Sequence, residues 1–341
     1  MAPAAGSQPW IDLHLHIEGS LPRKALAALA ARHRCPVPPQ QKFVGFAGFL
    51  KAFGAVCDLL SDEEDFEFAA RSVIAHSRAL GLIHIEVLFS PQVFARRGIA
   101  PERIIRGLLS ARRRERALAP SVVYIMDGVR QWGGGWFETL VRAARPFVGR
   151  GLAGVGIGGD ERLVSCREFT GAFQAARDLG LRTSVHAGEA GGPESIRDAL
   201  KWLHPDRIGH GIAASSDPEL CRLLARRRLP LEICPSSNIA TGVVASHSVH
   251  PVRRLYESGL NVTIGSDDGS FFNSNVPSEM CLLRRAHGFT AKEIDSLTLA
   301  AARAAFLSPR GRLRLERRVG RWIEGSDRAR RRGNQRVAAT F

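Results

Sequence analysis

The stretch "IDLHLHIEGS", residues 11–20, alternates apolar and polar residues and carries two histidines two positions apart. Side chains two positions apart on a β-strand point to the same face, so His14 and His16 would lie together. Neutral imidazole is a common zinc ligand, although a lone buried histidine is more often a hydrogen-bonded core residue. The stretch therefore predicts a buried strand, and it leaves open whether that strand is one edge of a metal site.

Seven further stretches rich in β-branched and aliphatic residues follow, with helix-like segments between them. This alternation predicts a parallel sheet built from βα units. The predicted strands are 11–16, 82–90, 122–129, 152–159, 181–189, 206–212, 229–237 and 260–268. Eight strands, each followed by a helix, predict a TIM (β/α)8 barrel. Ser61 is expected to cap the helix before the second strand.

The remaining segments predict one domain over residues 1–341, with the barrel at about 10–307. Two extra helices are expected at about 276–287 and 291–306, followed by an arginine-rich tail at about 310–341. An insertion at 35–60 is longer than a usual connection, which indicates a functional segment or a lid. Its phenylalanines have helical spacing and could anchor it to the barrel or line a pocket: Phe43, Phe46, Phe49 and Phe53.

The formal net charge of +15 raises the possibility of nucleic-acid binding. The arginines are dispersed, however, and their densest runs, at 111–116 and 310–336, predict a solvated helix surface and a frayed tail. We therefore expect no nucleic-acid partner.

No apolar run approaches the roughly 20 residues of a membrane span, and the first residues lack a signal-peptide pattern. The six cysteines form no CxxC pair, so reduced thiols are expected. Together these features predict a cytoplasmic protein with no membrane partner.

Polar residues with chemical potential fall repeatedly at predicted strand ends, which is where TIM barrels place catalytic groups. They are His14 and His16 on the first strand, His186 and Glu189 on the fifth, His210 on the sixth, and Asp267 and Asp268 on the eighth. Each alone has an ordinary explanation as a core histidine, a capping pair or a helix N-terminal acid. Their occurrence together predicts a metal site, because histidine nitrogen and aspartate oxygen are zinc ligands.

His84 and Glu86 form a similar HxE pair on the second strand. An HxE pair binds catalytic zinc in enzymes that also carry a PCxxC motif, and the sequence has no PCxxC. We therefore interpret His84 and Glu86 as structural residues.

The motifs "HLHIEGS", "SVHAGE", "RIGHG", "EICPSSN" and "IGSDDG" resemble, in order and spacing, the signature elements of the adenosine deaminase family of the amidohydrolase superfamily. The resemblance runs from about residue 10 to about 307. It implies a TIM barrel with one Zn²⁺ per chain, which would lower the pKa of a bound water toward ~7. The implied zinc ligands are His14, His16, His186 and Asp267.

The same resemblance implies roles for the other site residues. Glu189 would protonate N1 of a purine as general acid, and His210 would stabilise or shuttle the proton of the metal-bound water. Asp268 would orient that water and bond the purine edge. Gly159, in "GVGIGGDE" (154–161), matches a loop whose backbone N–H approaches the purine. Glu18 matches a position where classical members carry an aspartate near the ribose 5′-hydroxyl.

The implied activity is hydrolytic deamination of a small-molecule purine, a 6-aminopurine nucleoside such as adenosine or deoxyadenosine. Alternatives within the family are 6-aminodeoxyfutalosine, an intermediate of menaquinone biosynthesis, and free adenine. Departures from the family pattern concentrate at the substrate end: Glu18 replaces aspartate, "SDDG" replaces SDDP, and the loop "GIGGDE" (156–161) is short. Two other classes stay open, a two-metal hydrolase of another bond and a nucleic-acid-binding or scaffolding barrel.

Overall fold

Eight parallel strands form one continuous sheet in the computed structural model, which describes residues 8–40, 43, 45–115 and 120–338, with only the backbone of 46, 47 and 329–338. The strands are β1 Trp10–His16, β2 Leu82–Phe89, β3 Ser121–Val129, β4 Leu152–Gly158, β5 Arg182–Ala187, β6 Arg207–His210, β7 Pro230–Ile233 and β8 Asn261–Ile264. Each strand pairs with the next along the chain. A bridge between Leu15 and Asp267 joins the first strand to the last. The predicted TIM barrel is confirmed.

Helices surround the barrel and follow its strands in chain order. They are α1 Arg23–Arg32, α2 Gly45–Cys57, α3 Glu63–Ala79, α4 Pro91–Ala95, α5 Pro101–Glu115, α6 Gly134–Ala143, α7 Thr170–Asp178, α8 Gly192–Trp202, α9 Pro218–Arg227, α10 Pro235–Ala240, α11 Val252–Glu257, α12 Gly269–Phe272, α13 Val276–His287, α14 Ala291–Ala304 and α15 Pro309–Ala338. The two extra helices predicted after the last strand are α13 and α14. No described helix is both long enough and apolar enough to cross a membrane.

The cap of α3 differs from the prediction by one residue. Asp62, not Ser61, is the N-cap, because its carboxylate accepts a hydrogen bond from the backbone N–H of Asp65 at 2.8 Å. Ser61 instead donates its hydroxyl and backbone N–H to the Asp65 carboxylate. Ser61 and Asp62 are adjacent, and either residue type can cap a helix. Asp62 is the cap because its side chain reaches the backbone N–H of Asp65, whereas Ser61 contacts the side chain of Asp65.

The arginine-rich segment predicted as a tail is a helix over its described length. Leu315 and Val319 of α15 are buried with Ala301 of α14 and with Ile11 and Leu13 of β1. These residues form a small apolar cluster that covers one end of the barrel. Up to residue 328, where side chains are described, the arginines of α15 are exposed or half-buried, so this part is an amphipathic helix and not a frayed tail.

The barrel interior contains a buried network of charged side chains. Arg207 donates from Nη2 to Glu86 at 2.7 Å, and its Nε contacts the carboxylate of Glu232. His84 lies 3.1 Å from Glu86 through Nε2. The guanidinium of Arg207 also stacks on the ring of Phe306, 3.4 Å from its centroid. His84 and Glu86, interpreted as structural from the sequence, thus belong to a network that fills the barrel.

Arg207→Met should destabilise the protein strongly, because it leaves the carboxylates of Glu86 and Glu232 buried without their shared cation. We expect a loss of about 3–5 kcal/mol in the free energy of unfolding, measured by urea denaturation. Arg182→Met is the matched control, since Arg182 pairs with Asp206 at the surface and should cost under about 1 kcal/mol. Equal losses of unfolding free energy in the two variants would show that the buried network stabilises the protein no more than a surface ion pair does.

Candidate active site

Four predicted ligands converge at the carboxyl ends of the strands. His14 and His16 come from β1, His186 from β5, and Asp267 from the segment after β8. The Nε2 atoms of His16 and His186 are 3.3 Å apart. Asp267 Oδ1 lies 3.4 Å from Nε2 of His16 and 3.7 Å from Nε2 of His14. The sequence separates these groups by up to 253 positions, and the barrel brings them within one coordination sphere.

Hydrogen bonds at Nδ1 of His14 and His186 leave the Nε2 lone pairs of both rings directed toward the centre of the cluster. Nδ1 of His14 donates to Glu232 at 2.8 Å, and Nδ1 of His186 donates to the carbonyl of Ile157 at 3.0 Å. Each ring therefore presents an unprotonated Nε2 to the centre. Nε2 of His14 is buried and has no hydrogen-bond partner within the described part of the chain.

The electrostatics of these rings also suit a cation. Burial lowers the pKa of His16 to about 4 and the pKa of His186 well below its usual value, so both stay neutral near pH 7. Three imidazoles and one carboxylate, with unshared lone pairs directed at a common point, fit a divalent metal ion.

Two site residues adopt a backbone conformation that is uncommon outside glycine. His210 has φ of +58° and Asp267 has φ of +59°. Asp267 is held there by β1, since its N–H donates to the carbonyl of His14 at 2.8 Å and its carbonyl accepts from His16. The hydroxyl of Ser237 donates to Oδ2 of Asp267 at 2.6 Å. Left-handed, non-glycine residues held by many contacts are typical of functional sites.

The predicted catalytic carboxyls lie beside this cluster. Oε2 of Glu189 is 3.6 Å from Nε2 of His210, and burial raises the pKa of Glu189 to about 7. Burial, reinforced by the neighbouring Asp267, also raises the pKa of Asp268 well above its usual value. Gly19 makes room for Asp268, because a Cβ at Gly19 would lie 1.6 Å from Oδ1 of that carboxyl. The glycine of the "HIEGS" motif is therefore required by the site.

The loop that carries Glu189 is clamped by Glu161, a residue to which sequence reasoning assigned no role. The carboxylate of Glu161 accepts the backbone N–H groups of Gly188 at 2.6 Å and Gly191 at 2.8 Å. It also accepts the N–H of Ala190 and the hydroxyl of Ser195. Four donors thus meet on the Glu161 carboxylate. One precedes Glu189 in the chain, and three follow it in the loop and at the start of α8.

A cavity of about 360 Å³ opens beside the donor cluster and contains most of the predicted site residues. The lining residues among them are His16, Gly159, His186, Glu189, His210, Asp267 and Asp268. Apolar walls come from Val93, Trp132 and Phe272. A larger cavity of about 600 Å³, beside Asp12 and Ser266, contains none of these predicted site residues.

Part of the insertion at 35–60 covers this cavity. Phe49 and Phe53 of α2 line it, and Phe49 also packs against Phe272, with ring centroids 5.2 Å apart. Phe43 packs against Phe49 at 5.7 Å, whereas the side chain of Phe46 lies outside the described residues. The phenylalanine spacing therefore served both predicted purposes, anchoring the insertion and lining the pocket.

Of the two residues expected near the substrate, Gly159 lines the cavity and Glu18 does not. Gly159 lines the cavity with φ of +94°, and a Cβ there would lie 2.3 Å from the side chain of Gln131. Glu18 is fully buried, one layer behind the lining, and accepts the N–H of Ser90 at 2.9 Å. Burial raises the pKa of Glu18 to about 7, and its Oε2 has no hydrogen-bond partner among the described residues.

Asp127, at the end of β3, is a lining residue that sequence reasoning missed. Its Oδ1 is buried, lies 4.0 Å from Nδ1 of His186, and makes no hydrogen bond in the described structure. Burial, then the neighbouring Glu18, raises the pKa of Asp127 well above its usual value. A signal was present, since "IMDGV" places a carboxyl at a predicted strand end, as in the other site residues.

The fold and the site define a metal-dependent amidohydrolase. The family described as adenosine deaminase matches residues 9–322, so the chain belongs to the adenosine deaminase family and is a deaminase of adenine-type purines. An adenine deaminase of Rhizobium leguminosarum bv. trifolii is 34% identical over 319 residues, which cover 91% of this chain and 98% of that protein.

Solved structures share the fold of this chain. An adenine deaminase from Arthrobacter aurescens superimposes with a TM-score of 0.87 at 29% identity, covering 93% of this chain and 100% of that one. An amidohydrolase from Burkholderia ambifaria, solved with bound zinc, has a TM-score of 0.83 at 22% identity, covering 93% and 92%. At that identity the second likeness shows the shared fold.

Glu161→Ala should loosen the loop around Glu189. Hydrogen bonds to a charged group are worth roughly 1.5–3 kcal/mol each, so the amides of Gly188, Ala190 and Gly191 should exchange at least about tenfold faster. Hydrogen–deuterium exchange of the peptide spanning them is the measurement. Asp160→Ala is the matched control, because Asp160 bonds instead to Arg162. Unchanged exchange in the Glu161 variant would show that the clamp does not hold the loop.

Proposed function

We propose that this chain hydrolyses free adenine to hypoxanthine and ammonia with one zinc ion per chain. Membership of the adenosine deaminase family supports the reaction, and relatives named adenine deaminase at up to 34% identity support the free base. The nucleoside favoured by the sequence stays the second candidate. The observation that carries the proposal is a cavity with a metal-type donor set at one end and unpaired carboxyls in its walls.

The charge of the cavity argues against a phosphorylated substrate. Among the described residues that line it there is no lysine and no arginine. Asp127, Glu189, Asp267 and Asp268 all contribute to the lining, with Glu18 behind them. A phosphate group requires positive partners or a cluster of backbone N–H groups, and here it would meet carboxyls. The cavity therefore favours a neutral purine over a nucleotide.

The same carboxyls favour a base over a nucleoside. Free adenine carries a hydrogen on its imidazole ring, at N9 in its main tautomer, whereas a nucleoside carries the sugar there. Asp127 has a buried oxygen with no donor among the described residues, and so does Glu18. An unsatisfied buried acceptor costs about 1–3 kcal/mol, which an N–H donor from the substrate would recover. We assign Asp127 to this contact, with Glu18 supporting it.

The metal ligands are His14, His16, His186 and Asp267. Their donor set, three imidazole nitrogens and one carboxylate oxygen, suits zinc. Zinc bound there would supply hydroxide near neutral pH, because it lowers the pKa of a bound water to about 7. Glu232 and the carbonyl of Ile157 orient two of the rings through Nδ1.

The residues of this chain move the protons. Water adds at C6 while Glu189 donates a proton to N1, which its raised pKa allows near pH 7. Asp268, beside Asp267, bonds the purine edge and orients the water. Asp268 carries the proton of the water to the amino group, the new 6-hydroxyl returns a proton to Glu189, and ammonia leaves from C6 so that the 6-oxo purine remains. Apolar walls from Phe49, Phe53 and Trp132 pack on the ring and exclude other water.

A substrate panel tests the proposal directly. The purified protein should deaminate adenine, followed as loss of absorbance near the adenine maximum and as released ammonia. 9-Methyladenine lacks the ring hydrogen at N9 and should lose about 10⁴-fold in kcat/KM, since a site built around a hydrogen bond rejects an analogue without it. Adenosine, deoxyadenosine and 6-aminodeoxyfutalosine should be poor for the same reason.

Preferential turnover of adenosine or deoxyadenosine would establish the second candidate, and preferential turnover of 6-aminodeoxyfutalosine would place the enzyme in menaquinone biosynthesis. If no 6-aminopurine is deaminated, the proposal is wrong. Metal analysis adds a separate criterion, because two metals per chain would favour hydrolysis of another bond.

Glu189→Gln should keep zinc and lose about 10²–10⁴-fold in kcat, the usual value of general acid catalysis. In the parent enzyme kcat should fall as the pH rises through about 7, where Glu189 loses its proton, and this limb should be absent from the variant. Asp267→Ala is the contrasting variant and should lose the metal itself. Normal turnover by Glu189→Gln would disprove the role of this carboxyl.

A further inference from the structure

His210 is oriented by hydrogen bonds that run away from the cavity into the barrel wall. The amide nitrogen of Asn238, on α10, lies 3.1 Å from Nδ1 of His210. The amide oxygen of Asn238 lies 3.2 Å from Nε2 of His250. All three side chains are at most 5% exposed, so solvent cannot replace these contacts. The proposed reaction uses neither Asn238 nor His250.

The backbone of Val252, which contacts His250, determines the donor and the acceptor in each hydrogen bond of the series His210–Asn238–His250. The backbone N–H of Val252 donates to Nδ1 of His250 at 3.1 Å, so a neutral His250 carries its hydrogen on Nε2. That hydrogen is donated to the oxygen of Asn238. The NH₂ group of Asn238 must then face His210, and it makes Nδ1 of His210 an acceptor. A reversed Asn238 would set its NH₂ group against the N–H of His250.

His250 stays neutral across the working pH range. Burial, and then the neighbouring His287 and His247, lowers its pKa to about 3. A protonated His250 would also place an N–H on Nδ1, against the N–H of Val252. The backbone of Val252 therefore determines which nitrogen of His250 carries hydrogen, and through Asn238 it determines the same for His210.

We propose that Asn238 and His250 are positioning residues that hold His210 as the tautomer with its hydrogen on Nε2. This nitrogen faces the site, 3.6 Å from Oε2 of Glu189 and 3.8 Å from Oδ2 of Asp267. The carboxylate of Asp267 is an acceptor, and a carboxyl oxygen of Glu189 that carries no hydrogen can also accept, which suits an N–H donor. The catalytic part of this inference rests on the proposed deamination, whereas the tautomer does not depend on the substrate.

The consequence concerns which group moves protons. A ring nitrogen that already carries hydrogen can donate a hydrogen bond but cannot accept a proton from water. Of the two roles that the family resemblance implies for His210, this arrangement selects stabilisation over shuttling. Proton movement is left to the carboxyls of Glu189 and Asp268. An amide has no ionisable proton at this pH, so Asn238 orients the ring without conducting protons away.

The short helix α10 links this series to the metal ligands. Ser237 donates to the carboxylate of Asp267, and the next residue, Asn238, contacts His210. Two consecutive side chains of the "CPSSN" motif thus position two different site residues. This gives the serine and the asparagine at the end of that motif a structural reason.

The first test is a spectroscopic one on the zinc-loaded full-length protein. With ¹⁵N-labelled histidine, NMR should show His210 with a protonated Nε2 and an unprotonated Nδ1, its signals being identified by their absence in His210→Gln. The opposite assignment, hydrogen on Nδ1 with a bare Nε2, would overturn the inference. This result does not depend on any substrate, so it separates failure of the inference from failure of the proposed function.

The second test uses Asn238→Asp, which keeps the size and the acceptor for His250 but replaces the donor facing His210 by an acceptor. Nδ1 of His210 should become protonated in the NMR spectrum, and kcat for adenine should fall about 10²-fold or more with little change in KM. Asn273→Asp is the matched control, because it adds the same charge at an exposed residue and should keep parent values.

His250→Gln provides a separate variant of the same series. The variant lacks the imidazole that accepts from the N–H of Val252, so the orientation of Asn238 is no longer determined. His210 should then show both tautomers, and kcat should fall while the zinc content stays at one per chain. A parent-like kcat in Asn238→Asp, or a single unchanged tautomer of His210 in both variants, would refute the positioning role.

Discussion

The buried carboxylate of Glu232 is the interaction on which the rest of the site depends. It accepts from Nδ1 of His14 at 2.8 Å and from Ser184 at 3.0 Å, and it contacts Arg207. Burial alone would raise its pKa, but Arg207 and the hydrogen bond from His14 hold the pKa at about 2. The group is therefore ionised, and an ionised partner on Nδ1 leaves Nε2 of His14 as a fixed and more basic ligand.

Arg207 connects this ligand to the barrel core. Through Glu86 and His84 the same network reaches the second strand, and through Phe306 it reaches the segment after α14. The stability of the barrel and the geometry of the site thus depend on the same charges. A change at Glu232 would leave Arg207 without one of its two carboxylates and His14 without its orienting acceptor.

Around the rim of the barrel, residues outside the cavity likewise hold the site residues in place through hydrogen bonds. Ile157 orients His186, Ser237 holds Asp267, and Glu161 gathers the loop of Glu189. The left-handed backbone of Asp267, which costs about 1–3 kcal/mol in a non-glycine residue, is held by its backbone hydrogen bonds to His14 and His16 together with the contact from Ser237. A site whose inner residues are constrained from outside needs little rearrangement when a substrate enters.

Much of the fold was predictable because each strand and helix carries its own periodicity. The order of the strands and the placement of polar residues at their ends required no knowledge of distant contacts. A prediction was wrong where two neighbouring residues could both cap a helix, as with Ser61 and Asp62 at the start of α3. The segment after 309 was predicted as a tail because its arginines obscured Leu315 and Val319, whose burial depends on α14 and β1.

By itself, the sequence determined the barrel and the set of inward-facing donors, because alternation along a strand and the rule that strand ends meet at one rim are local properties. Only the tertiary structure decided which carboxyls are paired and which are left unpaired. His14 meets Glu232 across 218 positions, and Asn238 meets His210 across 28. Such contacts follow from closure of the barrel and carry no periodic signal. For that reason the roles of Glu161 and Asn238 emerged only in three dimensions.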